Sequence, residues 1–145
     1  MDSGLRWRDH IIYLKRSNQE INIFTDSSKT IDKDNNNNIV GCSVWIPSLI
    51  IELKYKLNSL SSSFTAEIWG ILKAIDWIIE HKALFSNICT DSKSSLDALF
   101  HRKPDQFKLN TLIRDLQNKL LYNTTFPNGR VRFTWCPAHV GIRDN

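Results

Sequence analysis

Thr65-Ala66-Glu67-Ile68-Trp69-Gly70-Ile71-Leu72-Lys73-Ala74-Ile75-Asp76-Trp77-Ile78-Ile79 carries Ile68, Ile71, Leu72, Ile75, Ile78 and Ile79 at three-and-four spacing. That period predicts an amphipathic helix from Thr65 to about Lys82, the strongest helical signal in the chain. Upstream the period is two. Glu20-Ile21-Asn22-Ile23-Phe24-Thr25 alternates polar with apolar residues and predicts a strand ending at Asp26. Ser27 to Asn38 reads as a polar turn, Ile39 to Ile46 as a second strand, and Leu49 to Leu57 as a third after Pro47-Ser48. Downstream, Asn87 to Thr90 predicts a short strand running into Asp91. Ser92 to about Phe100 and Asp105 to Tyr122 predict helices, and Arg130 to Trp135 a last strand. The order β-β-β-α-β-α-α-β, with no internal repeat, predicts an antiparallel meander joined to parallel strands in one mixed α/β sheet.

Composition bounds the rest. The 145 residues fit one domain, and 41% hydrophobic with 10% aromatic residues supply its core, which excludes a chain disordered throughout. Nineteen Lys and Arg against fifteen Asp and Glu leave a net charge of +4, which permits a polyanionic partner without requiring one. The three cysteines, Cys42, Cys89 and Cys136, form no Cys-x-x-Cys pair, and an odd number gives no disulfide framework. An intracellular, reducing setting, nucleus or cytoplasm, is expected. Arg6, Arg8, Asp9, Lys15 and Arg16 interrupt any secretion signal. No apolar run approaches the roughly 18 residues of a membrane span, so no membrane partner is expected. Residues 1–19 show no sustained period and read as an arm or linker, leaving residues 20–145 as the domain.

Asp26 and Asp91 each follow a β-rich segment, and in open α/β sheets ligands collect at the carboxyl ends of strands. If the first and fourth strands are parallel neighbours, with the long helix as their crossover, both acids emerge on one edge. Glu67 falls in the predicted first turn of that helix. Singly, each acid has a structural explanation: Asp26 and Asp91 as turn or cap residues, Glu67 as a partner of the helix dipole. Together they make a hard-oxygen cluster suited to Mg²⁺ or Mn²⁺, able to hold two ions about 4 Å apart for attack on a phosphodiester.

Phe24-Thr25-Asp26-Ser27-Ser28, Thr65-Ala66-Glu67, Cys89-Thr90-Asp91-Ser92 and Trp135-Cys136-Pro137-Ala138-His139-Val140-Gly141-Ile142 occur in this order. From about residue 20 onward the set resembles the type 1 ribonuclease H domain, above all the version carried by non-LTR retrotransposon polyproteins. The resemblance implies a ribonuclease H-like five-stranded mixed sheet, strands 1–3 antiparallel and strands 4 and 5 parallel to strand 1, with flanking helices. It implies an endonuclease that cleaves the RNA strand of RNA–DNA hybrids with two Mg²⁺ ions, Mn²⁺ being the alternative, and a reverse transcriptase domain of the same polyprotein as a further partner. By the same resemblance Asp26, Glu67 and Asp91 are catalytic metal ligands, and His139 assists proton transfer or product release. Two departures stand out. The family's glycine after the first Asp is here Ser27. The family's fourth carboxylate falls ten positions after the histidine, beyond Asn145, so a domain without its final helix is expected, with activity that is reduced or Mn²⁺-dependent. A catalytically weakened nucleic-acid-binding domain is the alternative reading.

Ser28, Ser62, Ser63, Ser92 and Lys93 flank the proposed catalytic positions and are candidates to meet 2′-hydroxyls and phosphates; each is otherwise an ordinary turn or cap residue. Arg102, Lys103 and Lys108 can meet a DNA backbone or form a solvated face. Asp32 to Asn38 lacks the glycine and terminal glutamate of a calcium loop. The five tryptophans, Trp7, Trp45, Trp69, Trp77 and Trp135, fall mostly within predicted elements and read as core rather than as base-stacking platforms.

Overall fold

A computed structural model describes residues 19–83, 85–101, 112, 114–115 and 130–137. Its elements are β1 (Ile21–Ile31), β2 (Asn38–Ile46), β3 (Ile51–Leu57), α1 (Ser63–His81), β4 (Phe85–Thr90), α2 (Lys93–His101) and β5 (Arg130–Trp135). The strands form one sheet in the order β3-β2-β1-β4-β5. β1, β2 and β3 pair antiparallel, whereas β4 lies parallel to β1 and β5 parallel to β4. The predicted mixed sheet is therefore the one observed. Within the predicted helix 105–122, Leu112, Arg114 and Asp115 are helical. The arm up to residue 18, Arg102, Lys103, Lys108 and His139 lie outside the described residues.

The isoleucine stripe of α1 makes the core. Ile68, Ile71, Ile75 and Ile78 are buried against Ile21 and Ile23 of β1, Val44 and Ile46 of β2 and Ile88 of β4. Truncating one such isoleucine to alanine costs about 2–5 kcal/mol. At the N-terminus of α1 the Ser62 hydroxyl accepts from the Thr65 amide, so the helix begins at Ser63, two residues before the predicted start at Thr65. At its end Lys82 takes the left-handed conformation, and its amide reaches the carbonyls of Ile78 and Ile79. No helix among the described residues is long and apolar enough to cross a membrane.

Three strand boundaries differ from the sequence expectation by two residues or more. β1 continues five residues past Asp26: Ser27 to Ile31 pair with Cys42 to Asn38. These residues are polar or exposed and so carry no period, yet backbone pairing needs none. A loop closes the hairpin, with the Asp32 carboxylate accepting from the Asp34 amide at 2.9 Å and Asn36 at φ 58°. β3 starts at Ile51, since Pro47–Leu49 form a 3-10 turn that ends on Ile50 at φ 52°. β4 begins two residues early, at Phe85.

The tryptophans divide. Trp77 is buried and stacks on His81, and Trp45 and Trp69 are half-buried. Trp135, expected in the core, is 48% exposed, because β5 lies at the sheet edge; its indole N–H donates to the Asp91 carbonyl at 3.3 Å.

Candidate active site

The last β1–β4 pair is Thr25 with Thr90, so the next position on each strand is an aspartate, Asp26 and Asp91. Parallel register alone brings two acids from 65 residues apart to one end of the sheet. Glu67 arrives from above. Three residues after it, Gly70 faces β1 so closely that a Cβ there would lie 3.4 Å from the Thr25 Cβ and 3.6 Å from the Asp26 carbonyl oxygen. This close approach holds the preceding turn of α1 over the end of the β1–β4 pairing. One carboxylate oxygen from each of Asp26, Glu67 and Asp91 lies within 4.8 Å of the others, and all three residues are half-buried.

The structural explanations of Asp26 and Glu67 do not survive, while Asp91 stands at a bend after β4. Asp26 is in mid-strand, neither a turn nor a cap. Ser92, not Asp91, caps α2, its hydroxyl accepting from the Ser95 amide at 3.2 Å. Glu67 was expected in the first turn of its helix, but α1 starts at Ser63, has no acid in that turn, and carries Glu67 one turn further in, where the dipole effect has largely faded. Like charges this close repel by about 3 kcal/mol per pair at an effective dielectric near 20. A site of three converging carboxylates is suited to a hard divalent cation, which takes oxygen ligands and removes that repulsion.

Ser27 sits between two of the acids. Its amide donates to Asp26 Oδ1 at 2.8 Å, and its hydroxyl donates to Glu67 Oε1. Sequence comparison marks Ser27 only as a departure from glycine, and its use was missed. The positive-φ residues among those described, glycine aside, are Asn36, Ile50 and Lys82, so Ser27 has ordinary strand geometry. Its signal in the sequence was a hydroxyl one residue from a candidate catalytic acid, on the alternate face of a strand.

The remaining candidates scatter around this centre. Ser28 is exposed on β1 beside Asp26. Ser62 and Ser63 stand at the start of α1, where Ser62 is spent on the cap and Ser63 lies four residues before Glu67, on the same helix face. Ser92 adjoins Asp91, and the Lys93 Nζ lies 5.7 Å from the Trp135 ring centroid. The buried thiols near the site are held protonated. Burial pushes Cys42 up to about 11, with Lys73 opposing and Glu67 adding to the shift. Burial, followed by the neighbouring Cys136, pushes Cys89 up to about 12.

The family profile described as RNase H matches residues 18–145. A search of the curated proteins returned no match. Among solved structures, the chain is similar to LC11-RNase H1, isolated from compost by a metagenomic approach, with 18% identity, a TM-score of 0.60, and 81% of this chain and 84% of that one covered. LC11-RNase H1 in complex with an RNA/DNA hybrid matches with 14% identity and a TM-score of 0.56, over 81% and 85% of the two chains. The foamy viral protease-reverse transcriptase in complex with dsDNA matches with 14% identity and a TM-score of 0.59, over 83% and 84%.

Proposed function

Because this chain belongs to the RNase H family, its residues 18–145 matching the family profile, we propose that it is an endonuclease hydrolysing the RNA strand of RNA–DNA hybrids. The observation that carries the reading is the convergence of Asp26, Glu67 and Asp91 within 4.8 Å at the end of the β1–β4 pairing. The hybrid complex of LC11-RNase H1 supports the substrate. The ordered motif set and the likeness to a viral reverse transcriptase support an origin in a retrotransposon polyprotein that also carries a reverse transcriptase domain.

In this reading Asp26, Glu67 and Asp91 would hold two Mg²⁺ ions, with Mn²⁺ as the alternative. Such ions, when bound, supply a water of lowered pKa and neutralise charge on the phosphate under attack. Asp26 on β1 and Asp91 just past the end of β4 fix the floor of the site, and Glu67 closes it from the helix. Without a cation the three acids repel a phosphodiester, so hydrolysis is strictly metal-dependent. Ser27 keeps Asp26 and Glu67 in their relative orientation. His139 assists proton transfer or product release, a role suited to an imidazole side chain. Ser28, Ser62, Ser63, Ser92 and Lys93 are the groups this reading assigns to 2′-hydroxyls and phosphates.

The test is cleavage of a labelled hybrid in Mg²⁺ and in Mn²⁺ beside the Asp26→Asn variant. Metal-dependent shortening of the RNA strand alone, absent in the variant, is the expected result. RNA cleavage no greater than the variant's in either metal overturns the proposal.

A further inference from the structure

β1, β2 and β3 place two cross-strand rows beside Asp26. In the first, Asp26 pairs with Ser43 and Ser43 with Lys54; in the second, Ser28 pairs with Gly41 and Gly41 with Lys56. Side chains alternate along β3. Ile51, Leu53 and Tyr55 pack against the core beneath α1, so Lys54 and Lys56 project from the opposite face. A cavity of about 520 Å³ opens there, lined by Asp26, Ser28, Gly41, Ser43, Lys54 and Lys56 among others. Gly41 keeps it open: a Cβ at that position would lie 2.9 Å from the Tyr55 carbonyl oxygen and 3.5 Å from Ser28 Oγ, in the middle of the floor.

We propose that this groove carries a nucleic-acid phosphodiester backbone away from Asp26, with Lys54 and Lys56 contacting successive phosphates; the nature of the ligand rests on the function proposed above. The two ammonium groups stem from positions about 7 Å apart along β3, and the row from Asp26 to Lys54 spans about 10 Å across two strand spacings. Lys54 has a carboxylate neighbour, Glu52, at 3.8 Å, but the side chain is 70% exposed and such a pair contributes little. Lys56 makes no ion pair among the described residues. Ser28 and Ser43 line the groove between the lysines and Asp26, where a hydroxyl can donate to a phosphate oxygen or accept from a 2′-hydroxyl. Lysines also blunt exposed edge strands. That role requires neither an open floor at Gly41 nor alignment with a catalytic acid.

Binding of a fluorescent RNA–DNA hybrid, a single-stranded RNA and a DNA duplex by the full chain is measured by anisotropy in EDTA as salt rises from 50 to 200 mM. Two phosphate contacts account for about 1.4–1.8 in the slope of log affinity against log salt. Lys54→Ala with Lys56→Ala should therefore make the affinity loss over that range about 7- to 12-fold smaller. The arginine pair, Lys54→Arg with Lys56→Arg, should restore it. Lys33→Ala with Lys82→Asn removes the same charge elsewhere and should leave the slope unchanged. An unchanged slope in the alanine pair, an equal change in the Lys33 and Lys82 pair, or no salt-sensitive binding of any probe overturns the proposal. Lysine-dependent binding without hybrid cleavage would sustain the groove and sink the ribonuclease reading.

Discussion

Asp26→Asn should make the metal-free protein more stable while removing its response to metal. Asparagine preserves the shape of the side chain, and its Oδ1 still accepts the Ser27 amide, so the substitution isolates the charge. Asp26 has two like-charged neighbours within 4.8 Å, Glu67 and Asp91. Each pair is worth about 3 kcal/mol of repulsion at an effective dielectric near 20. Salt and splaying of half-buried side chains reduce that figure, so a net gain of about 1–3 kcal/mol is expected. For a chain of this length the melting temperature should rise by about 3–10 °C in EDTA. Metal reverses the order. A ligand present at 100 times its dissociation constant stabilises the native state by about 2.7 kcal/mol, and the variant should forfeit most of that. Urea denaturation of both proteins, in EDTA and in saturating Mn²⁺, reads both effects, provided that the m-value stays constant. A variant less stable than the parent in EDTA, or one that gains as much from Mn²⁺, would refute the electrostatic argument.

Ser27→Ala removes the donor to Glu67 and should weaken Mn²⁺ binding about 10-fold by calorimetry, since partners that orient metal ligands typically matter by that much, and Ser27→Thr should restore it. Ile50 is a β-branched residue at φ 52° and 82% exposed, so Ile50→Gly should relieve about 1 kcal/mol of backbone strain and raise the urea midpoint. The thiols of Cys42 and Cys89 have native pKa values raised from 9.0 to about 11 and about 12. Above pH 9 the unfolded chain releases their protons first, so stability is intact below pH 9 and falls as pH rises toward 11–12, by up to about 1.4 kcal/mol per pH unit for each thiol. The Cys42→Ala, Cys89→Ala double variant should show a shallower alkaline slope.

The sequence showed the acids more readily than the geometry that joins them. Asp26 and Asp91 were visible because each ends an apolar alternation, and their equivalence in register follows once β1 and β4 are parallel. Glu67 was visible as an acid near the start of the predicted helix, and the motif set reinforced it. Its explanation as a dipole partner failed because the Ser62 cap starts the helix before the isoleucine stripe does. Ser27 to Ile31 gave no strand signal because Ser27 is polar and Ser28 to Ile31 are exposed, while their backbones are paired all the same. The alternation of Lys54 and Lys56 with core residues could be read directly. Their alignment with Asp26 could not, because it depends on a hairpin register fixed by the loop around Asp32 and Asn36. Trp135 misled because periodicity identifies a face, whereas exposure at a sheet edge depends on which neighbours are present.

The unexpected length of β1 gives the site its form. Had the strand ended at Asp26, that acid would have sat on a turn free to move independently of the sheet. Instead β4 stops at Thr90 while β1 continues beside β2 to Ile31, so the sheet opens on one side of Asp26 and stays closed on the other. The open side admits Asp91 and the overlying turn of α1, and the closed side fixes the backbone that bears Asp26. Gly70 lets that helix settle close to the same strand, and Ser27 ties its carboxylate to the sheet. Two of the three acids are thereby held on paired or packed elements. Asp91 follows the end of its strand, restrained by the Trp135 indole on its carbonyl and by the Cys136 amide on the carbonyl of Thr90. A ligand set of this kind needs orientation to within about 0.5 Å to perform chemistry. β1 provides it by being a strand on both sides of the residue where the sheet divides.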